Sequence, residues 1–259
     1  MLLGFMPFLI TIAHLVMAAT LVDDVTQHHT QGLEFSLLDA FAIALYFSVS
    51  RVRYVLPFRL GMMLYFLAVF LSTFQSYQPE FSLFYLWQLL RMFLVYTVVA
   101  RASVDVRVVT SILGGMAIGL CLQAPYSVME RLSSGVLQAS GTFEHQNILG
   151  LVSHFVVFPF FMALLDGFWG SLPVIVVLSG VIVEVLTTSR ATLGLAAVGY
   201  MLAFFFSAQS SLSSRKLAIL GAAVVALIVV VPVAVASFEG RGATEMEGSS
   251  ETRRTMERA

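Results

Sequence analysis

The sequence predicts an all-α protein, a polytopic transmembrane bundle of about nine spanning helices. Three observations carry this expectation. Charged residues make up 11% of the 259-residue chain, where a soluble domain carries about 25%. Hydrophobic residues make up 59%, and mean hydropathy is +0.91. Apolar runs long enough to cross a bilayer recur, and none shows the period-two alternation that a barrel strand needs.

The expected spans fall at about residues 2–22, 36–50, 58–75, 83–100, 108–129, 147–165, 172–188, 191–208 and 217–237. The first, "MLLGFMPFLITIAHLVMAAT", has no basic n-region, so it reads as a spanning helix rather than a cleaved signal peptide. The second is short and borrows flanking residues to span. The fifth holds the single cysteine, Cys121, which reads as packing and excludes an internal disulfide. The sixth opens on a polar run, "EHQN", at Glu144–Asn147. The seventh and eighth are separated only by "TTSRAT". After the ninth, residues 239–259 hold nine Asp, Glu, Lys or Arg residues and leave the membrane. The chain therefore reads as a transmembrane domain over 1–238 and the start of a large external loop over 239–259.

Arg and Lys in short loops set the orientation. Arg51, Arg53, Arg59, Arg101, Arg107, Arg215 and Lys216 fall on one side if the helices alternate, and that side is cytoplasmic. "DDVTQHHTQGLE" and "SYQPEFS" lack both residue types and fall outside. The N-terminus is then cytoplasmic and the tail external. Polar groups within the spans gather in the outer half: His14, Asp39, Gln88, Arg91, Gln123, His154 and Glu184. Arg91 and Glu184 lie at similar expected depth and read as an intramembrane pair. Such a pair either fixes helix register or lines an outward-opening polar pocket.

Three outer-face features carry chemistry. Arg190 follows Ser189 at a helix start, where free N–H groups and the helix dipole attract anions. A guanidinium there grips phosphate oxygens bidentately; the bland reading is an interfacial Arg snorkelling to headgroups. Arg253, Arg254 and Arg258 lie in "SSETRRTMERA", with Arg254 and Arg258 on one face of a helix. The bland reading here is a solvated amphipathic helix. The sequence stops inside this pattern with neither cap nor breaker, so the reading expects a fragment cut within a larger loop.

The third feature is "ASGTFEHQNILG". Gly141 and Thr142 suit a turn, Asn147 or Thr142 would cap the following helix, and His145 is a base or donor at neutral pH. Capping and interfacial polarity alone would explain the same residues. No metal-ligand spacing joins His145 to another ligand type, and adjacent His28 and His29 are a weak metal signal. There is no P-loop, GxSxG or HExxH. No metal is expected, and a net charge of -1 argues against a nucleic-acid partner.

"SGTFEHQNILG", "LTTSRATLGL" and "SSETRR", in this order, resemble three elements of the O-antigen ligase and polymerase superfamily, which includes exopolysaccharide polymerases. Those elements are G-T-F-x-H-P-N at a helix start, S-R-[GA] two helices later, and a Ser-Arg pair opening a large external loop. The resemblance covers about residues 85–259 and is best at Gly141–Gly150 and Thr187–Leu195. Gln146 stands where the pattern has Pro, and Glu144 where Gly is common.

The resemblance implies a multi-pass glycosyltransferase of the bacterial inner membrane, serving lipopolysaccharide or exopolysaccharide biosynthesis in the cell envelope. It implies an undecaprenyl-pyrophosphate-linked glycan as donor, used at the periplasmic face. The acceptor is lipid A-core or another glycan, and no metal or nucleotide cofactor is needed. By the same resemblance Arg190, with Arg254 or Arg253, binds the donor pyrophosphate. Gly141, Thr142, Phe143, His145, Asn147 and Ser189 shape the pocket. The family's catalytic His lies beyond the large loop and has no counterpart here. Two other readings compete: a transporter or flippase for a lipid-linked or anionic solute, and a non-catalytic membrane scaffold. An inner half without polar groups weighs against the transporter.

Overall fold

The computed structural model describes residues 1–9, 16–19, 33–49, 55–77, 79–136, 138–228, 232 and 235. Among these residues the fold is helical apart from one short ribbon. Four helices are long and apolar enough to cross a membrane: Ser82–Ala102, Val106–Ser134, Gln146–Asp166 and Arg190–Ser210. Shorter apolar helices are Leu37–Ser48, Arg59–Thr73 and Leu172–Thr187. The chain divides into two compact units, Met1–Gly119 and Leu120–Ala259.

The first unit corrects the first expected span. Residues 2–22 do not make one continuous helix: α1 (Leu2–Phe5) leads into a single 3-10 turn, Met6–Phe8. Pro7, in the first positions of that turn, has no N–H to give to a continuing helix. Further on, β1 (Val16–Ala19) pairs antiparallel with β2 (Leu33–Ser36), with Val16 opposite Ser36. Hydropathy cannot separate these outcomes, because it registers apolar surface and not where the backbone hydrogen bonds go. His14, His28, His29, Arg51 and Arg53 lie outside the described residues.

α2 (Leu37–Ser48), α3 (Arg59–Thr73), α4 (Pro79–Ala102) and the first half of α5 (Val106–Ser134) complete this unit. At the start of α2, the Asp39 carboxylate accepts from the Ser36 N–H at 2.7 Å and the Ser36 hydroxyl at 2.9 Å. Arg91 reaches the same carboxylate from α4, with Nε 3.2 Å from Oδ1 and Nη2 2.5 Å from Oδ2. The acid both holds the first turn of α2 and neutralises the cation. At the other end of α2, Arg101 donates to the Val49 carbonyl at 3.1 Å and lies over the Tyr46 ring. A cation expected in a loop thus satisfies a helix C-terminus instead.

The second unit contains the rest of α5, α6 (Gln146–Asp166), α7 (Leu172–Thr187), α8 (Arg190–Ser210) and a helix over residues 214–228, here α9. Gly167 ends α6 in the left-handed conformation at φ +83°, where a side chain would be strained. Only Thr188 and Ser189 separate α7 from α8, so those two helices run antiparallel. Contacts at both ends then make α6 and α8 parallel. At one end a Cβ on Gly150 of α6 would collide with the Thr192 side chain of α8. At the other, Ser207 of α8 donates to Asp166 of α6 at 2.7 Å.

The second end is closed by a buried lysine. Lys216 Nζ donates to the carbonyls of Ser207 at 2.8 Å and Ser211 at 3.0 Å, and lies 3.1 Å from Asp166 Oδ1. Its charge sits where the dipole of α8 ends. Between the two ends, Leu149, Val156, Val157, Val176 and Val183 are fully buried. Gly180 of α7 admits the Val157 side chain against its Cα, so these helices approach closely.

Candidate functional site

The end of the second unit opposite Lys216 brings together two sequence motifs that lie forty-odd residues apart. One is the turn at Ala139–His145, and the other is the start of α8 at Ser189–Thr192.

The turn is fastened from two directions. From α5, Glu130 Oε2 accepts from the Gly141 N–H at 2.8 Å, and Oε1 accepts from the Ser140 N–H and hydroxyl at 3.3 Å. Gln123, nearly two turns deeper, uses both ends of its amide. Its Oε1 accepts from the Thr142 N–H at 3.0 Å, and its Nε2 donates to the Thr142 hydroxyl at 2.6 Å. Gly141 stands at φ +62° with Gln123 Oε1 where a Cβ would go, so only glycine fits. From α7, the Leu186 carbonyl accepts from the Ala139 N–H at 3.0 Å. That carbonyl belongs to the last turn of its helix, where no intrahelical donor remains.

The polar run follows directly. His145 caps α6, its Nδ1 accepting from the Asn147 N–H at 3.1 Å. The cap expected at Asn147 or Thr142 is therefore His145. Thr142 instead points down to Gln123, and Asn147 lies inside the first turn as a donor. Glu144, His145 and Asn147 are exposed, and Phe143 is half-buried. Gln146 donates to Gln138 at 3.0 Å, which closes the turn on itself.

α8 starts as the sequence leads one to expect. Ser189 is its N-cap, and its hydroxyl accepts from the Thr192 N–H at 3.3 Å. Arg190 is the first helical residue and is exposed, whereas Thr187, Thr188 and Ser189 behind it are buried. Two parallel helices thus present their N-termini at the same end, and no acidic residue lies in either first turn. Their dipoles and the Arg190 charge favour an anion, set against the carboxylates of Glu144, one residue before the α6 cap, and Glu130 beneath the turn. Arg253 and Arg254 lie outside the described residues.

The two members of the expected Arg91–Glu184 pair each have partners within their own unit. Arg91 is engaged by Asp39 and Ser36. Glu184 accepts from the Tyr200 hydroxyl at 3.2 Å and faces His154, with Nε2 and Oε1 3.6 Å apart. Depth along the chain brought the two residues to notice, but depth alone names no azimuth. Each found a partner on a helix of its own unit.

Sequence reasoning also missed Glu130, Tyr200 and the Gly150–Thr192 contact. A signal for Glu130 existed. An acid near the C-terminal end of a helix opposes the dipole and needs donors from elsewhere. Among the described residues no group of three or more His, Cys, Asp or Glu side chains is arranged to hold a metal ion. No protein family, curated protein or solved structure matches the chain.

Proposed function

We propose that this chain is a membrane glycosyltransferase-like protein of polysaccharide assembly, of the O-antigen ligase or polymerase type. It takes glycan from an undecaprenyl-pyrophosphate donor at the periplasmic face of a bacterial inner membrane and serves a lipid A-core or glycan acceptor. The observation that carries the reading is the convergence of the Ala139–Asn147 turn with Ser189–Arg190 at paired helix N-termini. Breaking a glycosyl–pyrophosphate bond leaves negative charge on the departing lipid pyrophosphate. Preorganised donors and a guanidinium at the membrane surface stabilise that charge as it develops. In this reading Arg190 grips the pyrophosphate together with Arg254 or Arg253. Gly141, Thr142, Phe143, His145, Asn147 and Ser189 shape the mouth, and the Arg and Lys residues of the short loops keep that mouth outside.

A transporter or flippase for a lipid-linked or anionic solute is the second reading, favoured by the buried His154–Glu184–Tyr200 group. Ionisable residues inside spans often mark ion pathways.

The test is made in the cell that carries the gene. Arg190→Ala at the native locus, with the protein still present in the membrane, abolishes the surface polysaccharide while its lipid-linked donor accumulates at the outer face. Polysaccharide of normal amount and length in that strain refutes the reading. Donor trapped at the cytoplasmic face points to the flippase instead.

A further inference from the structure

Within the second unit, α6, α7 and α8 meet around three polar side chains that the proposed donor site does not use. His154 comes from α6, Glu184 from α7 and Tyr200 from α8. Glu184 is 2% exposed and His154 6%. Phe158 stacks on the His154 ring and meets Tyr200 edge-on, so the surroundings are apolar. α5 touches the same interface through Leu120 at Gly180.

The hydrogen bonds of this group can be followed atom by atom. Glu184 Oε2 accepts from the Tyr200 hydroxyl. His154 Nε2 and Glu184 Oε1 are buried without a hydrogen-bond partner, and they face each other at 3.6 Å. In the neutral ring with its proton on Nδ1, Nε2 carries a bare lone pair. Without a further proton, that lone pair would confront a carboxylate oxygen in an apolar interface. The pair would also carry an uncompensated charge, at a cost of several kcal/mol. One proton between the two atoms removes both penalties, whichever atom it rests on.

We infer that His154 and Glu184 form a membrane-embedded proton-binding site, holding one exchangeable proton between Nε2 and Oε1. Closing the 3.6 Å gap to hydrogen-bond distance lets the proton pass from the oxygen to the nitrogen, the O–H bond breaking as the N–H bond forms, and the two groups titrate as a unit. The site ties together the three helices that end or begin at the mouth. Glu184 is three residues, about 4.5 Å, from the end of α7. Protons therefore reach the site from the same side as Arg190. Neither the sugar donor nor the transfer reaction enters this argument, so the inference stands apart from the proposed function.

The sign of the pH effect follows by counting protons. Near neutral pH the unfolded chain has a neutral imidazole and an ionised carboxylate, one proton fewer than the folded pair. Stability is then greatest in mild acid and falls as pH rises, by up to about tenfold in the folding equilibrium per pH unit. Thermal unfolding of the whole protein in nanodiscs, from mildly acidic to mildly alkaline buffer, reads this directly. Glu184→Gln supplies a permanent N–H toward Nε2, so it is expected to lose the fall in stability above neutral pH and instead to lose stability in mild acid, where the unfolded imidazole takes up a proton that the folded one cannot. An unchanged slope in a folded Glu184→Gln protein overturns the inference. Should that variant not fold, the native pair is read by nitrogen NMR after His14, His28, His29 and His145 are replaced by Gln. A protonated or hydrogen-bonded Nε2 at neutral pH is expected, and a bare Nε2 lone pair overturns the inference.

Discussion

Glu130 is a point at which the mouth can be loosened without touching its arginine. Its carboxylate takes three hydrogen bonds from Ser140 and Gly141. Glu130→Gln keeps the shape and one acceptor oxygen, but turns an NH2 group toward donors that need an acceptor. Hydrogen bonds to a charged group contribute roughly 1.5–3 kcal/mol each. Glu130 is only half-buried, so screening brings the expected loss to about 1–2 kcal/mol. If the turn opens locally, that loss becomes about 5- to 30-fold faster amide exchange at Ser140 and Gly141. Hydrogen exchange with mass spectrometry on the protein in nanodiscs reads the peptide spanning residues 138–143. Peptides from the middle of α8 serve as the internal reference and should not change. Exchange within about twofold of wild type at the turn would refute the claim that α5 holds it.

Further consequences concern other parts of the structure. Lys216→Met removes three bonds at the opposite end of the second unit and leaves two carbonyls and Asp166 without their cation. The partly exposed acid softens the penalty, so a loss of about 1–3 kcal/mol is expected as a lowered Tm. Gly150→Val drives two methyl groups into Thr192 and should cost about 1–3 kcal/mol while shifting the start of α8, seen as lowered Tm and faster exchange at Thr192. A double-mutant cycle of Asp39→Asn with Arg91→Met should show a coupling of roughly 1–3 kcal/mol. The cycle of Arg91→Met with Glu184→Gln should be additive to within about 0.5 kcal/mol, and a clear coupling there would restore the pairing by depth.

Much of the helical layout was legible because spans are written in apolar length. The expected 58–75, 147–165 and 191–208 fall almost on Arg59–Thr73, Gln146–Asp166 and Arg190–Ser210. The edges that moved did so for capping reasons. α6 starts one residue early because His145, and not Asn147, supplies the cap. The failure at residues 2–22 has a different origin. Pro7 and a pairing between Val16–Ala19 and Leu33–Ser36 redirect backbone bonds that no hydropathy average detects.

At the candidate site, the residue types were legible and the partnerships were not. Arg190 at a helix start, Ser189 before it and Gly141 in a turn all follow from local rules. Glu130 under the turn and Tyr200 against Glu184 depend on which faces of the helices meet, which spacing along one chain does not determine. The same limit hid Asp39 as a partner of Arg91.

The account rests on Arg190 as part of a lipid-pyrophosphate site, and binding tests that most directly. The protein in nanodiscs is titrated with undecaprenyl pyrophosphate and with undecaprenyl monophosphate, and bound lipid is counted by native mass spectrometry. The pyrophosphate should bind more tightly, and Arg190→Ala should weaken it by about tenfold while changing monophosphate binding far less. Equal affinity for the two lipids, or a pyrophosphate affinity unchanged by Arg190→Ala, would contradict the account.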